Sequence, residues 1–395
     1  MIQKSSTLAL GRAGAFAFVI ILLIGAVGAG GAVLILLDPG NASGVLQASI
    51  EFKETDTFVE ISVVDMGTAD EIEIRHQNIP TRTVSSPGTY KIPKIKGDLT
   101  VYGRDNQRQE KLRERTIQQT GRNITVLQEQ SRDISSNQIV YAPEGQYRTL
   151  TIQDANRVIF APNARLSGET ALKVNDNDVR IQGGQVVDAV TGVEVSGNSV
   201  TIESLQVKNS DAGIIINSQD TTVRGTRITD TVQTAISVSG TTTVTETKIE
   251  KYSTGVIVEE QGAAEIRDTV IQNGRVGIES YGKITVQEST IQQNTVGLYL
   301  AQRFSITDQT TINNNYEQKD SVRETVCRQY QLERCPVDGL GIYIAEKATP
   351  EALTDTSVLQ HEIAVYNEGD TFTADVTVGE TRLYENALVN VEKEN

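Results

Sequence analysis

From about Ile139 onward, apolar residues return at a nearly constant step of about 21 residues, within the range of solenoid repeats. One column runs Phe160, Ile181, Ile202, Val223, Val244, Ile266, Val286, Ile306. A second keeps the same step: Val187, Val207, Ile228, Ile249, Ile271, Ile291, Ile312. A third repeats a small–apolar–x–apolar motif, as in Gly192-Val193-Glu194-Val195, Gly213-Ile214-Ile215-Ile216 and Gly297-Leu298-Tyr299-Leu300. The segments are short, rich in Val, Ile and Thr, and alternate with period two, which excludes helices and predicts strands. Coiling the chain once per repeat puts each column in register and makes three parallel sheets, with successive turns about 4.8 Å apart. No single repeat buries its apolar face alone; the stack does. The coil is expected over residues 135–315.

The turn after the second column carries Asp188, Asn209, Asp230, Lys251, Asn273, Gln293 and Asn314 at equivalent positions. Amide and carboxylate side chains stacked there would bridge neighbouring turns of the coil. Period, three-strand pattern and turn ladder together resemble the right-handed β-helix repeats shared by pectate lyases, carbohydrate-binding surface proteins and viral tailspikes. The fold class expected is all-β: a right-handed three-sheet parallel β-helix, or solenoid, preceded by one transmembrane helix and a small β domain. Enzymes, adhesins and inert spacers all use such a coil, so activity does not follow from it.

Alternation of another kind fills residues 46–128, where IEFKETDTFVEISVVDMGTADEIEI and the hairpin GDLTVYGRDNQRQEKLRERTI predict a small antiparallel domain. Ahead of it, residues 13–37 carry no charge and are long enough to span a bilayer. Lys4 and Arg12 precede that run, so residues 1–12 are expected in the cytoplasm and the bulk outside the cell. A cleaved signal peptide is the alternative. Gly25, Gly28, Ala29 and Ala32 place small residues on one face, which either allows a homo-oligomer through the helix or reflects ordinary membrane-helix composition. The basic leader ending Gly11-Arg12-Ala13, the apolar helix and the small β domain resemble archaeal pilin-like surface proteins. The run after Ala13 lacks the Ser-Pro stretch usual at that family's processing site, so plain anchoring is expected rather than polymerisation.

Past Ile312 the period breaks. Residues 316–340 form a polar insertion with both cysteines, Cys327 and Cys335, which outside the cell either close a surface loop or remain free thiols. Residues 341–395 are expected to add one last strand, Gly341 to Ile344, and a β cap.

A net charge of −15 argues against nucleic acid as a partner. Glycoside hydrolysis needs two carboxyl groups roughly 5–10 Å apart. Glu194 and Glu279 fall four turns apart, about 19 Å, and Asp188 and Asp230 belong to the turn ladder. No residue set is therefore put forward as catalytic. Asp176 and Asp178, in the run Asn175 to Asp178, either hold Ca²⁺ or form an Asx-rich turn; no other cofactor is expected. An outward stripe of Thr201, Thr222, Thr243 and Thr285, with Tyr299 and Tyr343 on another face, either binds a sugar or protein partner or is ordinary strand surface. Asn41 and Asn123 stand in glycosylation sequons. Three functions fit: a membrane-anchored surface protein presenting the coil to a glycan or protein, a tethered polysaccharide lyase or hydrolase, or a virion membrane or spike protein.

Overall fold

The computed structural model describes residues 46–55, 58–77, 79–105, 108–118, 124–135, 139–313, 328, 339–359, 363–368 and 376–378. Outside them lie the expected anchor at 13–37, the sequon asparagines Asn41 and Asn123, Asn314 of the turn column, and both cysteines, Cys327 and Cys335. Among the described residues no helix is long and apolar enough to cross a membrane. The chain divides into two compact units between residues 121 and 122.

The first unit is antiparallel throughout. Ser49–Glu54, Phe58–Asp65 and Gly88–Pro93 make a three-stranded sheet. Ile79–Val84, Glu71–His76, Gly97–Arg104 and Gln109–Ile117 make a four-stranded one in that spatial order. Alternation sends Val59, Ile61 and Val63 from one sheet, and Ile72, Ile74, Leu99 and Val101 from the other, into a shared core. Each such side chain stabilises the fold by about 1.5–3 kcal/mol. Glu73, 6 % exposed, is neutralised by Arg75 and Arg104 at 2.9 and 3.4 Å. His76 is buried with a ring nitrogen 3.1 Å from the Ile95 carbonyl, and burial lowers its pKa. The neutral ring there serves packing.

In the second unit each repeat forms one turn of a parallel coil. Among the described residues the first sheet has eleven strands, from Ile124–Val126 through Thr201–Glu203 and Lys283–Gln287 to Thr349–Leu353. The second sheet includes Gln206–Ser210, Arg227–Thr231, Lys248–Glu250 and Val270–Gln272. The third includes Ala212–Ile216, Thr234–Val238, Thr254–Val258, Val276–Ser280 and Val296–Leu300. Ile181, Ile202, Val223, Val244, Ile266, Val286 and Ile306 stack inside the first sheet, all fully buried.

Register corrects two assignments at the start of the columns. Val158, not Phe160, pairs with Ile181, and Val186, not Val187, pairs with Val207. The corner between Phe160 and Ala164 lengthens that repeat, so a step of 21 counted back from Ile181 lands on Phe160 instead of Val158. The coil also extends past both expected limits. Ile124–Val126 already pairs with the strand Ile139–Ala142, ahead of residue 135. At the far end, Thr356–Leu359, Ile363–Asn367 and Val376–Val378 continue the second and third sheets in parallel register where a separate cap was expected. In sequence the polar insertion falls between Thr310–Asn313 of the second sheet and Leu340–Ile344 of the third, and residues 314–327 and 329–338 lie outside the described residues.

The corners explain the turn residues. Asp188, Asn209, Asp230, Lys251, Asn273 and Gln293 all take φ between +53° and +63°. Short amide and carboxylate side chains tolerate that left-handed backbone best, which accounts for their recurrence. Bridging between turns of the coil is a lesser effect: Asn209 Nδ2 donates to Asp188 Oδ1 at 3.2 Å, and Lys251 Nζ lies 3.4 Å from Asp230 Oδ1. A more continuous hydrogen-bonded ladder stands at the corner from the third sheet to the first. There Asn177 Oδ1 accepts from the Asn198 N–H (2.7 Å), Asn198 Oδ1 from the Gln219 N–H (2.9 Å), and Gln219 Oε1 from the Thr241 hydroxyl (2.6 Å). Between the second and third sheets the strand bends so sharply that a Cβ at Gly213 or Gly277 would meet the next turn's carbonyl oxygen at 2.3 or 2.5 Å. That close approach selects the small residue opening each third-sheet motif.

Candidate functional site

Because the inner rows are filled with apolar side chains, chemistry has to come from the outer rows and the corners. On the first sheet, register places Thr201, Thr222 and Thr243 in one outer row. The row then runs through Glu265, which interrupts it, to Thr285 and Ser305. The hydroxyl stripe is thus assembled, half-buried and broken by one carboxylate. Beside it, the outward bases Arg180 and Arg227 each meet a glutamate at 2.7 Å, Glu203 and Glu250, and Lys248 lies 2.9 Å from Glu250. These cations are tied into ion pairs between or along strands, which leaves them poorly placed to abstract a substrate proton.

The outer row of the third sheet is different. It runs Lys173, Glu194, Ile215, Ser237, Ile257, Glu279, Tyr299, Tyr343, Tyr366. Tyr299 and Tyr343 stack at 5.1 Å and 10°, and Tyr343 and Tyr366 at 5.4 Å and 9°. Tyr281, at the corner, tilts against Tyr299 at 5.6 Å. Tyr343 points outward as expected but is only 2 % exposed, packed with Val276, Val296 and Leu340, so it is a packing element rather than a free sugar platform. Tyr366 extends the row beyond what the sequence reading included. Its signal was present: Ala364-Val365-Tyr366-Asn367 repeats the motif of Gly341-Ile342-Tyr343-Ile344.

An open cleft of about 570 Å³ lies at the corner between the third and first sheets, lined by Ser239, Glu259, Glu260, Gln261 and Tyr281. The Tyr281 hydroxyl donates to Glu279 Oε1 at 2.6 Å, and Glu279 is 4 % exposed. Burial first, then the bond to Glu279 and the charges of Glu279, Tyr299 and Glu259, push the Tyr281 hydroxyl pKa up. Tyr343 is raised likewise by burial and by a hydrogen bond with Glu368. Glu279 pairs in register with Ile257, and Glu259 follows two residues later. Strand spacing and rise put the Cα atoms of Glu259 and Glu279 about 8 Å apart. The outer-row reading had set Glu279 against Glu194; the nearer carboxylate, Glu259, lies in a corner that strand alternation does not mark.

The remaining candidates lie at turns. Asp176 Oδ2 accepts from the Ala155 N–H at 3.1 Å and its Oδ1 from the Asn177 N–H at 2.9 Å, while Asp178 takes φ +58°. Among the described residues no three His, Cys, Asp or Glu side chains gather in a way that could hold a metal ion. Asp188 and Asp230 occupy left-handed corner positions, with Asn209 bonded to the first and Lys251 paired to the second.

No curated protein matches this sequence. Solved structures that superpose on it include the Family 28 exopolygalacturonase of Yersinia enterocolitica, at 8 % identity and TM-score 0.44 over 88 % of this chain and 98 % of that one. A thermostable α-1,3-glucanase catalytic unit from Streptomyces thermodiastaticus gives 11 % and 0.42 over 86 % and 89 %. An alginate lyase from Paenibacillus sp. gives 13 % and 0.37 over 59 % and 90 %. At such identities and scores these likenesses carry no information about this chain's activity. The family model for the right-handed β-helix region matches residues 166–316 and 212–377, together more than half the chain. With its parallel coil, three sheets and stacked inner columns, the chain belongs to the right-handed β-helix family.

Proposed function

We propose that the chain is a surface protein, anchored through residues 13–37 with its amino terminus inside, whose coil binds a polysaccharide outside the cell. The observation that carries the binding site is Tyr281: an aromatic ring on the wall of a 570 Å³ cleft, its hydroxyl held in place by Glu279. Aromatic faces pack against the apolar faces of sugar rings, and a fixed ring loses little freedom on binding. Ser239 and Gln261 supply the few directional polar groups such a site needs. The apolar run supports the anchor, and the acidic surface supports life in solution beyond the membrane. The test is retention of the full chain, in detergent micelles, on a panel of immobilised neutral, acidic and amino polysaccharides. Retention that disappears in Tyr281→Ala supports the reading; no retention on any polymer rejects it.

A second reading is hydrolysis. Glu259 and Glu279 flank Tyr281, and their charges both act on its hydroxyl. With Cα atoms about 8 Å apart by strand spacing, the two side chains are near enough to reach opposite sides of one glycosidic bond. The same panel, assayed for new reducing ends, separates the two readings. Turnover abolished by Glu279→Gln and by Glu259→Gln makes the protein a hydrolase; binding without turnover leaves it a binding protein.

A further inference from the structure

Resting on the polysaccharide-binding reading above, we infer that the corner cleft selects a cationic amino sugar, one with a free ammonium group, over uronates and N-acylated sugars. Two of the five lining residues are carboxylates, Glu259 and Glu260, and none of the five is Lys or Arg. The nearest basic residue along the strand, Lys283, is drawn to Glu351 at 3.4 Å. The chain as a whole carries −15, so a polyanion is repelled before it arrives. Those charges alone would describe an ordinary acidic surface. The cleft and its aromatic wall give them a direction.

Tyr281 is the discriminating group. Its hydroxyl proton is committed to Glu279, so what it has left for a ligand in the cleft is the aromatic ring and an acceptor lone pair, not a donor. A ring face attracts a cation through its quadrupole, and an ammonium brings three donors and no acceptor. It therefore matches a wall of carboxylates, an acceptor hydroxyl and a π face. N-acylation of the same sugar removes the charge and adds an acceptor carbonyl. A uronate adds a negative charge facing Glu259 and Glu260, and juxtaposed like charges are disfavoured.

Titration calorimetry on the full chain in detergent micelles tests this with three probes: oligomers of glucosamine, of N-acetylglucosamine and of galacturonate. Glucosamine oligomers should bind about tenfold tighter than the N-acetylated series, and galacturonate oligomers weakest. Added salt should weaken the first and spare the second. Glu259→Gln and Glu260→Gln, both exposed, should each lower glucosamine affinity about three- to fivefold and lower N-acetylglucosamine affinity by a smaller factor, so that the preference between the two series narrows. Equal binding of the two series, or preference for galacturonate, overturns the charge selection while polysaccharide binding stands. If none of the probes and no polymer of the retention panel binds, both readings fall.

Discussion

The outer faces of the first and third sheets share one coil, one register and one spacing, yet they carry different chemistry. On the first sheet the row Thr201, Thr222, Thr243, Thr285 stays half-buried and is bordered by glutamate–arginine pairs. On the third, Glu279, Tyr299, Tyr343 and Tyr366 gather into a carboxylate–aromatic patch whose centre excludes water. The inner rows beneath both are mostly Ile and Val, with Leu298, Leu300 and Phe304 near the far end. The coil thus sets the backbone through its inner columns and leaves the outer rows free, which is how one architecture hosts unrelated sites.

The largest effects should come from the rows the two sheets have in common. Ile278→Ala inside the third sheet and Ile266→Ala inside the first should each cost about 2–5 kcal/mol in urea unfolding of the full chain. Costs differing by more than about 2 kcal/mol would show that the inner columns are not equivalent supports. Next comes the contrast itself. Tyr343→Ala should cost about 3 kcal/mol or more, because it empties a site that is 2 % exposed. Thr243→Ala, in the first sheet's outer row, should stay within about 0.5 kcal/mol. Similar losses at the two positions would break the distinction between a packed and a solvated face.

A smaller effect tests the corner that joins the second and third sheets. Tyr252 lies across Gly274 and donates to Asn294 Oδ1 at 2.7 Å, and a Cβ at Gly274 would sit 1.9 Å from its ring. Gly274→Ala should destabilise by about 1–3 kcal/mol through overpacking. In a Tyr252→Ala background the same change should cost clearly less, and a strictly additive cycle would place the ring elsewhere.

The smallest difference appears only in alkali. Tyr281, Tyr299 and Tyr343 have pKa values raised above the ordinary 10.0, chiefly by burial, whereas the first sheet's outer row holds no tyrosine. A neutral acid with a raised folded pKa contributes stability that is fully present below the unfolded pKa and is lost as pH rises through the folded one. Tyrosinate absorbance followed with circular dichroism should therefore show these side chains ionising above pH 10 as the fold weakens. Substituting all three by Phe should move the alkaline transition upward; an unchanged transition would mean that they ionise without strain.

Much of the coil was legible because an inward position must be apolar at every turn. Ile202, Val223 and Val244 announce themselves by type and interval alone. The slip at Phe160 came where one turn lengthened, since an interval counts residues and not turns of the coil. The slip at Val187 came where two adjacent valines, Val186 and Val187, both fit an apolar column and only register separates them. The site was much less legible. Nothing in the alternation of Val258, Glu259 and Glu260 distinguishes a solvated corner from a cleft wall, and Tyr343 was recognisable as outward but not as buried.

By itself the sequence determined what depends on local repetition: a strand-forming period, three columns per repeat, recurring amide and carboxylate residues at one corner, and a separate antiparallel unit. Those follow from side-chain alternation and from the need to bury β-branched residues at every turn. Only the tertiary structure decided which outer residues meet. It brought Tyr366 onto Tyr343, and Tyr281 onto Glu279 and into one cleft with Glu259, through register between strands about 20 residues apart. Outer rows carry no burial requirement of their own, so their partners are set by turn length and stacking rather than by pattern.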